Sequence, residues 1–590
     1  MINFQINYKS FLVILGFLFQ MYATAQVFVG ANTNILVNNQ VFYVKQNLEL
    51  SASSSNFYLR NQSQLLQGTT GTGTNKGVGS LSVFQEGTVN NYQFNYWCSP
   101  VGNIDSPTSV NNPFGILQLG TPTTVTATTA ATASSTYDGT ASPLTIASYW
   151  INKFQVNLSL YSDWVPVGSS STINAGEGFT MKGTSGTDPT TVNGVQNNSD
   201  GKHQRYDFRG KPNDGTINIP VLAGEWTLTG NPYPSAIDLS AFLIAERNCK
   251  GIAYFWEQDK TVNSHNLADY KGGYGAYAAA IDEYSQAPFF SYDGSGNQIS
   301  KTHAGSGGIY KREFAPIGQG FMIEGNVDGY VQMKNSYRRF VKEGLANNSE
   351  FEKIRNNKMA SPATTRPKIR FNTLLDNGPI SQMILVFDPS STDSVDRAMD
   401  AASPNDGPAN NYFVINDNEY IIEVIPFDID KKIPVGYRNT VQANYKITVN
   451  EMLNIPEVTN VYIHDITANL YYDIKNSVFD VTLPAGTNNT QYEITFKNGS
   501  LGVENLANQS SFVVRQDNSI KKLIISNPLQ KEIVSYGLYD VMGRLIFTKG
   551  QLGNDSSHTF STSNLSDGIY IVKLTTANKL DMAAKIIIKN

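Results

Sequence analysis

The sequence predicts a mostly β, multidomain chain built of β-sandwich-like modules. Charged residues are only 16% of the chain while Gly, Asn, Ser and Thr are abundant, which favours strands joined by polar turns over helical bundles. Short β-branched and aromatic runs alternate with turn residues from end to end. At roughly 150 residues per domain, 590 residues suggest about four domains. A net charge of −5 with no basic stripe argues against nucleic acid as a partner.

Residues 1–25 read as a signal peptide. Lys9 precedes the apolar run FLVILGFLF (residues 11–19), and Ala23, Thr24 and Ala25 form a small-residue cleavage site that leaves Gln26 as the new N-terminus. That run falls short of the ~20 residues a membrane helix needs. Residues 26–79 hold very short strands (VFVG, NILVNN, VFYVKQ, FYLR) at a beat of about eight to ten residues, either a short β-solenoid or the edge of a sandwich.

Between residues 80 and 344 the same landmarks come twice, in tandem units of about 80–200 and 201–344. A Trp strand runs into a Pro corner (YWCSPVGN, WTLTGNPYP), an aromatic strand follows (SYWINKF, IAYFWEQD), and Gly-x-Gly-Phe closes the unit (AGEGFTMKG, IGQGFMIEG). Gly-x-Gly before a strand permits close backbone approach and reads as a sandwich corner, because a phosphate loop precedes a helix. The inserts at residues 121–143, rich in Thr and Ala, and 184–202, polar and Gly-rich, are expected to be exposed loops. One short helix is expected over residues 239–247, with Asp238 as N-cap. KGGYGAYAAAIDEY (residues 271–284) reads as a flexible aromatic stretch, either presenting tyrosines to a ligand or simply a long loop. Residues 345–366 form a linker, 367–498 a β-sandwich, and 499–510 a second linker.

Residues 511–590 read as an Ig-like sandwich. Alternation over residues 533–541 places Val534, Tyr536 and Leu538 on one face and Ser535, Gly537 and Tyr539 on the other. Gly543 and Gly568 sit at chain reversals, where a left-handed backbone is cheapest for Gly. LYDVMGRLIF (Leu538, Tyr539, Asp540, Gly543, Arg544), LSDGIYIVKL (Leu565, Asp567, Gly568, Tyr570) and the Lys-flanked KIIIKN (Lys585, Lys589) resemble the type A C-terminal sorting domain of type IX secretion substrates from Bacteroidota-type bacteria. The resemblance implies a route. The Sec machinery takes the chain to the periplasm, and the sorting domain delivers it to an outer-membrane translocon. A sorting peptidase then removes that domain, with release or attachment to surface lipopolysaccharide. The middle of the chain resembles β-rich modules found before such domains, which implies architecture and no activity.

No catalytic motif stands out. His203, His265, His303, His464 and His558 lie at no metal-ligand spacing, and there is no nucleophile elbow or Cys–His signature. Cys98 and Cys249 are either two buried thiols or one bridge. Asp393, Asp396 and Asp400 share an oxygen-rich loop, either a solvated acidic loop or a calcium site outside EF-hand spacing; no other cofactor is expected. Glu257 and Asp259 beside Trp256 are either a pair able to bind or cleave a sugar or two solvent-facing residues. The many Tyr and Phe fit buried cores as well as exposed sugar-stacking faces. The leading expectation is a non-enzymatic binding, adhesive or structural protein, secreted or on the outer cell surface. A carbohydrate-binding protein that takes glycans and a secreted hydrolase are the alternatives.

Overall fold

A computed structural model describes residues 26–68, 71, 73–104, 110–154, 164–299, 305–344, 348–351, 366–376, 378–499, 512–576 and 581–589. The expected signal peptide and most of both expected linkers lie outside the described residues. The chain divides into two compact units, Met1–Lys497 and Asn498–Asn590. Among the described residues no helix is long and apolar enough to cross a membrane.

The short N-terminal strands stack as a parallel β-solenoid. Val27–Val29, Leu48–Leu50 and Lys76–Gly77 form one side. Asn34–Asn38, Asn56–Arg60 and Ser80–Glu86 form the second, and Val41–Val44 with Gln64–Gln67 the third. Val29, Val37, Val44, Leu50, Phe57 and Leu81 fill the interior. Asn32, Asn39 and Asn61 take left-handed conformations that Asn tolerates at corners. Asn side chains also ladder between rungs: Asn56 Nδ2 donates to Asn34 Oδ1 at 3.0 Å, and Asn61 Nδ2 to Asn38 Oδ1 at 2.9 Å. The third rung, Ser80–Glu86, continues the stack past residue 79 and pairs antiparallel with Arg205–Pro212.

The landmark segments fall in two sheets. The first has the order Trp164–Pro166, Asn152–Phe154, Gly178–Lys182, Phe94–Cys98. The second has seven strands and contains the run Lys271–Ala278, Cys249–Gln258, Gly320–Gly325, Trp226–Gly230, extended beyond Lys271–Ala278 by Phe290–Tyr292 and Gln298–Ile299 with Glu283–Ser285 alongside. Register matches as well: Gly178 lies opposite Cys98 and Phe179 opposite Trp97, as Gly320 lies opposite Gly230 and Phe321 opposite Thr229. The glycines serve reciprocal contacts between the sheets. A Cβ on Gly178 would lie 2.6 Å from Leu228, and one on Gly320 would lie 2.7 Å from the Trp97 nitrogen. Thr229 Oγ1 donates to the Gly176 carbonyl at 2.8 Å, and the Cys98 N–H to the Gly318 carbonyl at 2.9 Å.

Several expected loops are strands. Within residues 184–202, Asp188–Val192 and Val195–Asn198 form a hairpin over Asn193-Gly194, both at positive φ as a two-residue turn demands. Residues 121–143 supply Thr128–Ala130, Thr132–Ser134 and Gly139–Thr140, where β-branched Thr suits a pleated surface. Lys271–Ala278 is a full strand, not a loop. Its glycines make room: a Cβ on Gly272 would meet the Trp256 ring at 2.8 Å, and one on Gly275 the Tyr284 hydroxyl at 2.0 Å. The expected helix is Leu239–Ala245, with the Asp238 carboxylate accepting the Ala241 N–H at 2.8 Å.

Residues 367–498, expected as a sandwich, instead form one eleven-stranded sheet that rolls into a nearly closed barrel. Long strands such as Ala443–Leu453, with bulges at Arg370/Phe371 and Val435/Tyr437, supply the bend. Phe371, Leu385, Phe413, Ile433, Tyr445 and Ile494 pack inside.

The second unit is a sandwich. A sheet of Val513–Asp517, Lys522–Ser526 and Ser557–Ser561 faces one of Leu545–Gly553, Ile533–Asp540, Gly568–Thr576 and Asp581–Ile588. Leu523, Ile525, Tyr536, Leu538 and Val572 form the layer between them. A register shift between Ile533 and Ser535 buries Ile533 and exposes Val534, against simple alternation.

Candidate functional site

Period-two alternation divides the side chains of the two matched sheets between closed cores and a shared face. From Phe94–Cys98, Trp97 enters the core with Phe179, while Phe94 and Tyr96 turn the other way. From Cys249–Gln258, Ala253 and Phe255 are core residues, while Tyr254 and Trp256 join the shared face. The barrel residues Ile384, Val386 and Ile422 cover part of that face, including Tyr254, which is only 1% exposed. The uncovered remainder is a cleft of about 980 Å³. Trp150, Trp164, Trp226 and Trp256, four of the chain's five tryptophans, line it half-buried.

Ring contacts make its walls continuous. Tyr96 stacks on Trp256 at 6.4 Å with 7° between planes, Trp164 meets Tyr96 edge-on at 5.8 Å, and Trp226 lies 5.6 Å from Tyr274. The Tyr96 and Tyr274 hydroxyls share a 2.8 Å hydrogen bond that joins the two sheets. Polar side chains stand among the rings, including Asn152, Thr180, Gln298, Ser403, Asn405 and Asp406. Arg438 holds the loop that carries the last three. It donates to the Asn405 carbonyl at 2.9 Å and the Gly407 carbonyl at 3.0 Å while paired with Glu419. Desolvation raises the Asp406 carboxyl above the ordinary range.

A buried amine sits within the rings beside the cleft. Lys182 Nζ lies 3.6 Å from the centre of the Trp150 ring and donates to the Tyr270 hydroxyl and, at 3.0 Å, to His265 Nδ1. His265 Nε2 in turn donates to Asp138 Oδ1 at 2.9 Å. Burial pushes Lys182 down to about 7, against the opposing field of Asp138.

The carboxylates and cysteines singled out from sequence do not line the cleft. Glu257 and Asp259 form no pair. Glu257 is buried on the far face, accepting from the Tyr284 hydroxyl and the Gly308 N–H, and Asp259 caps the turn at Thr261. Asp393 pairs with Lys431, Asp396 accepts the Thr392 N–H at 2.6 Å, and Asp400 accepts the N–H groups of Asp396 and Val424, so the three carboxylates face different partners. Burial raises Asp400 to about 7 and Glu423 to about 8. Cys98 and Cys249 are both free and buried. Ala25 lies outside the described residues; Gln26 is exposed.

In the second unit, Asp540 accepts the Met542 and Arg544 N–H groups and pairs with the Arg544 guanidinium around Gly543 at φ 74°. Leu538 is buried, Leu565 packs against the core, and the Tyr570 hydroxyl donates to the Ser566 carbonyl at 3.0 Å. Tyr539 is half-buried, Lys585 and Lys589 are exposed, and Gly568 opens its strand without the left-handed backbone expected of it. Asp567 lies in the turn before that strand.

The cleft was partly visible in the sequence. Tyr96, Trp150, Phe154, Trp226 and Trp256 all belong to the repeated landmarks. Trp164 and Tyr292 were missed, and the Ser403–Asp406 loop was read only as the end of the acidic stretch, because only the tertiary fold brings them to the same place.

A family model described as "Domain of unknown function (DUF8693)" matches residues 15–496, and one described as "Secretion system C-terminal sorting domain" matches residues 518–589. No curated protein matches. Among solved structures, CopC from Methylosinus trichosporium OB3b is 18% identical with a TM-score of 0.11, covering 13% of this chain and 85% of that one. A polysaccharide lyase is 7% identical with a TM-score of 0.12, covering 38% and 40%. The CupB2 chaperone of Pseudomonas aeruginosa is 9% identical with a TM-score of 0.11, covering 38% and 87%. Scores this low carry neither fold nor function across.

Proposed function

The chain belongs to the DUF8693 family and ends in a type IX secretion sorting domain, so it is exported to the cell surface or the medium, and we propose that it serves there as a non-enzymatic carbohydrate-binding protein. The observation that carries this reading is the cleft walled by four half-buried tryptophans. Pyranose rings present a face of C–H bonds that stacks on aromatic planes, while hydroxyls at the ring edge find the amide and carboxylate groups. A rigid wall of this kind loses little entropy on binding, since its rings already pack on one another. The proposed partners on the way are the Sec machinery, the outer-membrane translocon and its sorting peptidase, with lipopolysaccharide as the proposed anchor if the protein stays on the surface. The test is a glycan array probed with the full chain and with Trp256→Ala. Glycan binding that depends on Trp256 supports the proposal. Hydrolysis of any bound glycan, or the absence of any bound glycan, overturns it.

A further inference from the structure

Resting on the carbohydrate reading, we infer that the cleft selects uncharged glycans and that Asp406 is the selecting group. Apart from tyrosines, the described residues of the lining hold two titratable side chains, His265 and Asp406, and no Lys or Arg. His265 has both ring nitrogens engaged, one by Lys182 and the other by Asp138. Lys182 is 3% exposed and its amine is engaged by Tyr270, His265 and the Trp150 face. Arg438, which is not a lining residue, is hydrogen-bonded to Glu419 and two carbonyls, and its charge offsets part of the effect of burial on Asp406. Among the described residues, the lining therefore offers a ligand one carboxylate, Asp406, and no Lys or Arg side chain.

The consequence follows from the energetics of charge in poorly solvated places. A uronate or sulfate entering between the rings loses its hydration, finds no Lys or Arg among the described lining residues, and meets Asp406. A neutral sugar gives up little hydration at its C–H face. A pair of its hydroxyls can donate to Asp406, which makes charge-assisted hydrogen bonds. Asp406 thus plays two parts, holding hydroxyls and repelling anions.

The experiment measures binding of the full chain to oligosaccharides of equal length. One set is neutral (glucose, xylose, mannose or galactose polymers) and the other acidic (uronate and sulfated polymers), each tested against wild type, Asp406→Asn and Trp256→Ala. Wild type should bind a neutral member at least about tenfold more tightly than any acidic one. Asp406→Asn should weaken the neutral ligand and narrow that gap severalfold, with tryptophan fluorescence confirming an unchanged fold. Acidic and neutral glycans bound equally, both through Trp256, would overturn the selectivity and leave the carbohydrate reading standing. An Asp406→Asn variant with an unchanged gap would remove Asp406 from the role. If no glycan binds in a Trp256-dependent way, both proposals fall.

Discussion

Replacing Gly320 by Ala tests whether the Gly-x-Gly corners exist to let the two matched sheets meet at backbone distance. An added Cβ would lie 2.7 Å from the Trp97 nitrogen, 2.7 Å from the Tyr96 carbonyl carbon and 2.9 Å from its oxygen. All three atoms are backbone, so no flexible side chain can yield, and the cost belongs at the upper end of the overpacking range, about 3 kcal/mol. Ala gains back about 0.5–1 kcal/mol by stiffening the unfolded chain, because Gly320 does not use a left-handed backbone. The expected net destabilisation is about 2 kcal/mol. Gly294→Ala is the control, since nothing lies within 4 Å of its added Cβ. Tryptophan fluorescence in urea is the assay: all five tryptophans lie between Trp97 and Trp256, so the signal reports the first unit alone. With an m-value of about 3 kcal/mol/M, the midpoint should fall by roughly 0.7 M in Gly320→Ala and stay in place in Gly294→Ala. Equal midpoints for the two variants would refute the packing account of the motif.

The buried ionisable groups predict opposite pH slopes. Glu423, raised from 4.5 to about 8, keeps a proton in the folded state that the unfolded chain releases, so stability falls as pH rises between those values, by about 1.4 kcal/mol per unit. Glu423→Gln should flatten that fall in melts from pH 5 to 9, leaving the share due to Asp400. Lys182, lowered from 10.5 to about 7, is neutral in the folded state where the unfolded chain is protonated, so its contribution grows as pH rises from about 7 to 10.5. Lys182→Met should remove that rise; a variant with the wild-type slope would contradict the burial of the amine. Deleting residues 512–590 should leave the protein in the periplasm by immunoblot of cell fractions, and normal levels in the medium would refute the export role of the sorting domain.

Local chemistry was readable where one side chain or turn decides the outcome. Asp238 marked the helix start, and the solenoid was one of two readings of the N-terminal beat. Asn193-Gly194 is a hairpin signal that a polar, low-complexity composition concealed. The glycines of Lys271–Ala278 suggested flexibility, yet they are spaces for neighbouring rings, which sequence does not show without the partner strands. Eight strands in residues 367–498 fit a sandwich or a barrel equally; closure depends on bulges such as the one at Arg370/Phe371, which leave no composition signature. Glu257 looked like half of a carboxylate pair with Asp259, but the structure buries it on the face opposite Trp256. The cleft aromatics were visible as residues, whereas their convergence depends on which part of the shared face the barrel leaves uncovered.

The most direct test of the cleft as a glycan site is a fluorescence titration of the full chain with a panel of neutral oligosaccharides, run beside Trp256→Ala. Three of the four cleft tryptophans remain in that variant as reporters. A saturable spectral change in wild type is predicted for at least one oligosaccharide. Affinity should fall about 30-fold in the variant, the loss of a central aromatic contact worth about 2 kcal/mol. A panel that leaves the wild-type spectrum unchanged, or that binds Trp256→Ala as tightly as wild type, would contradict the account.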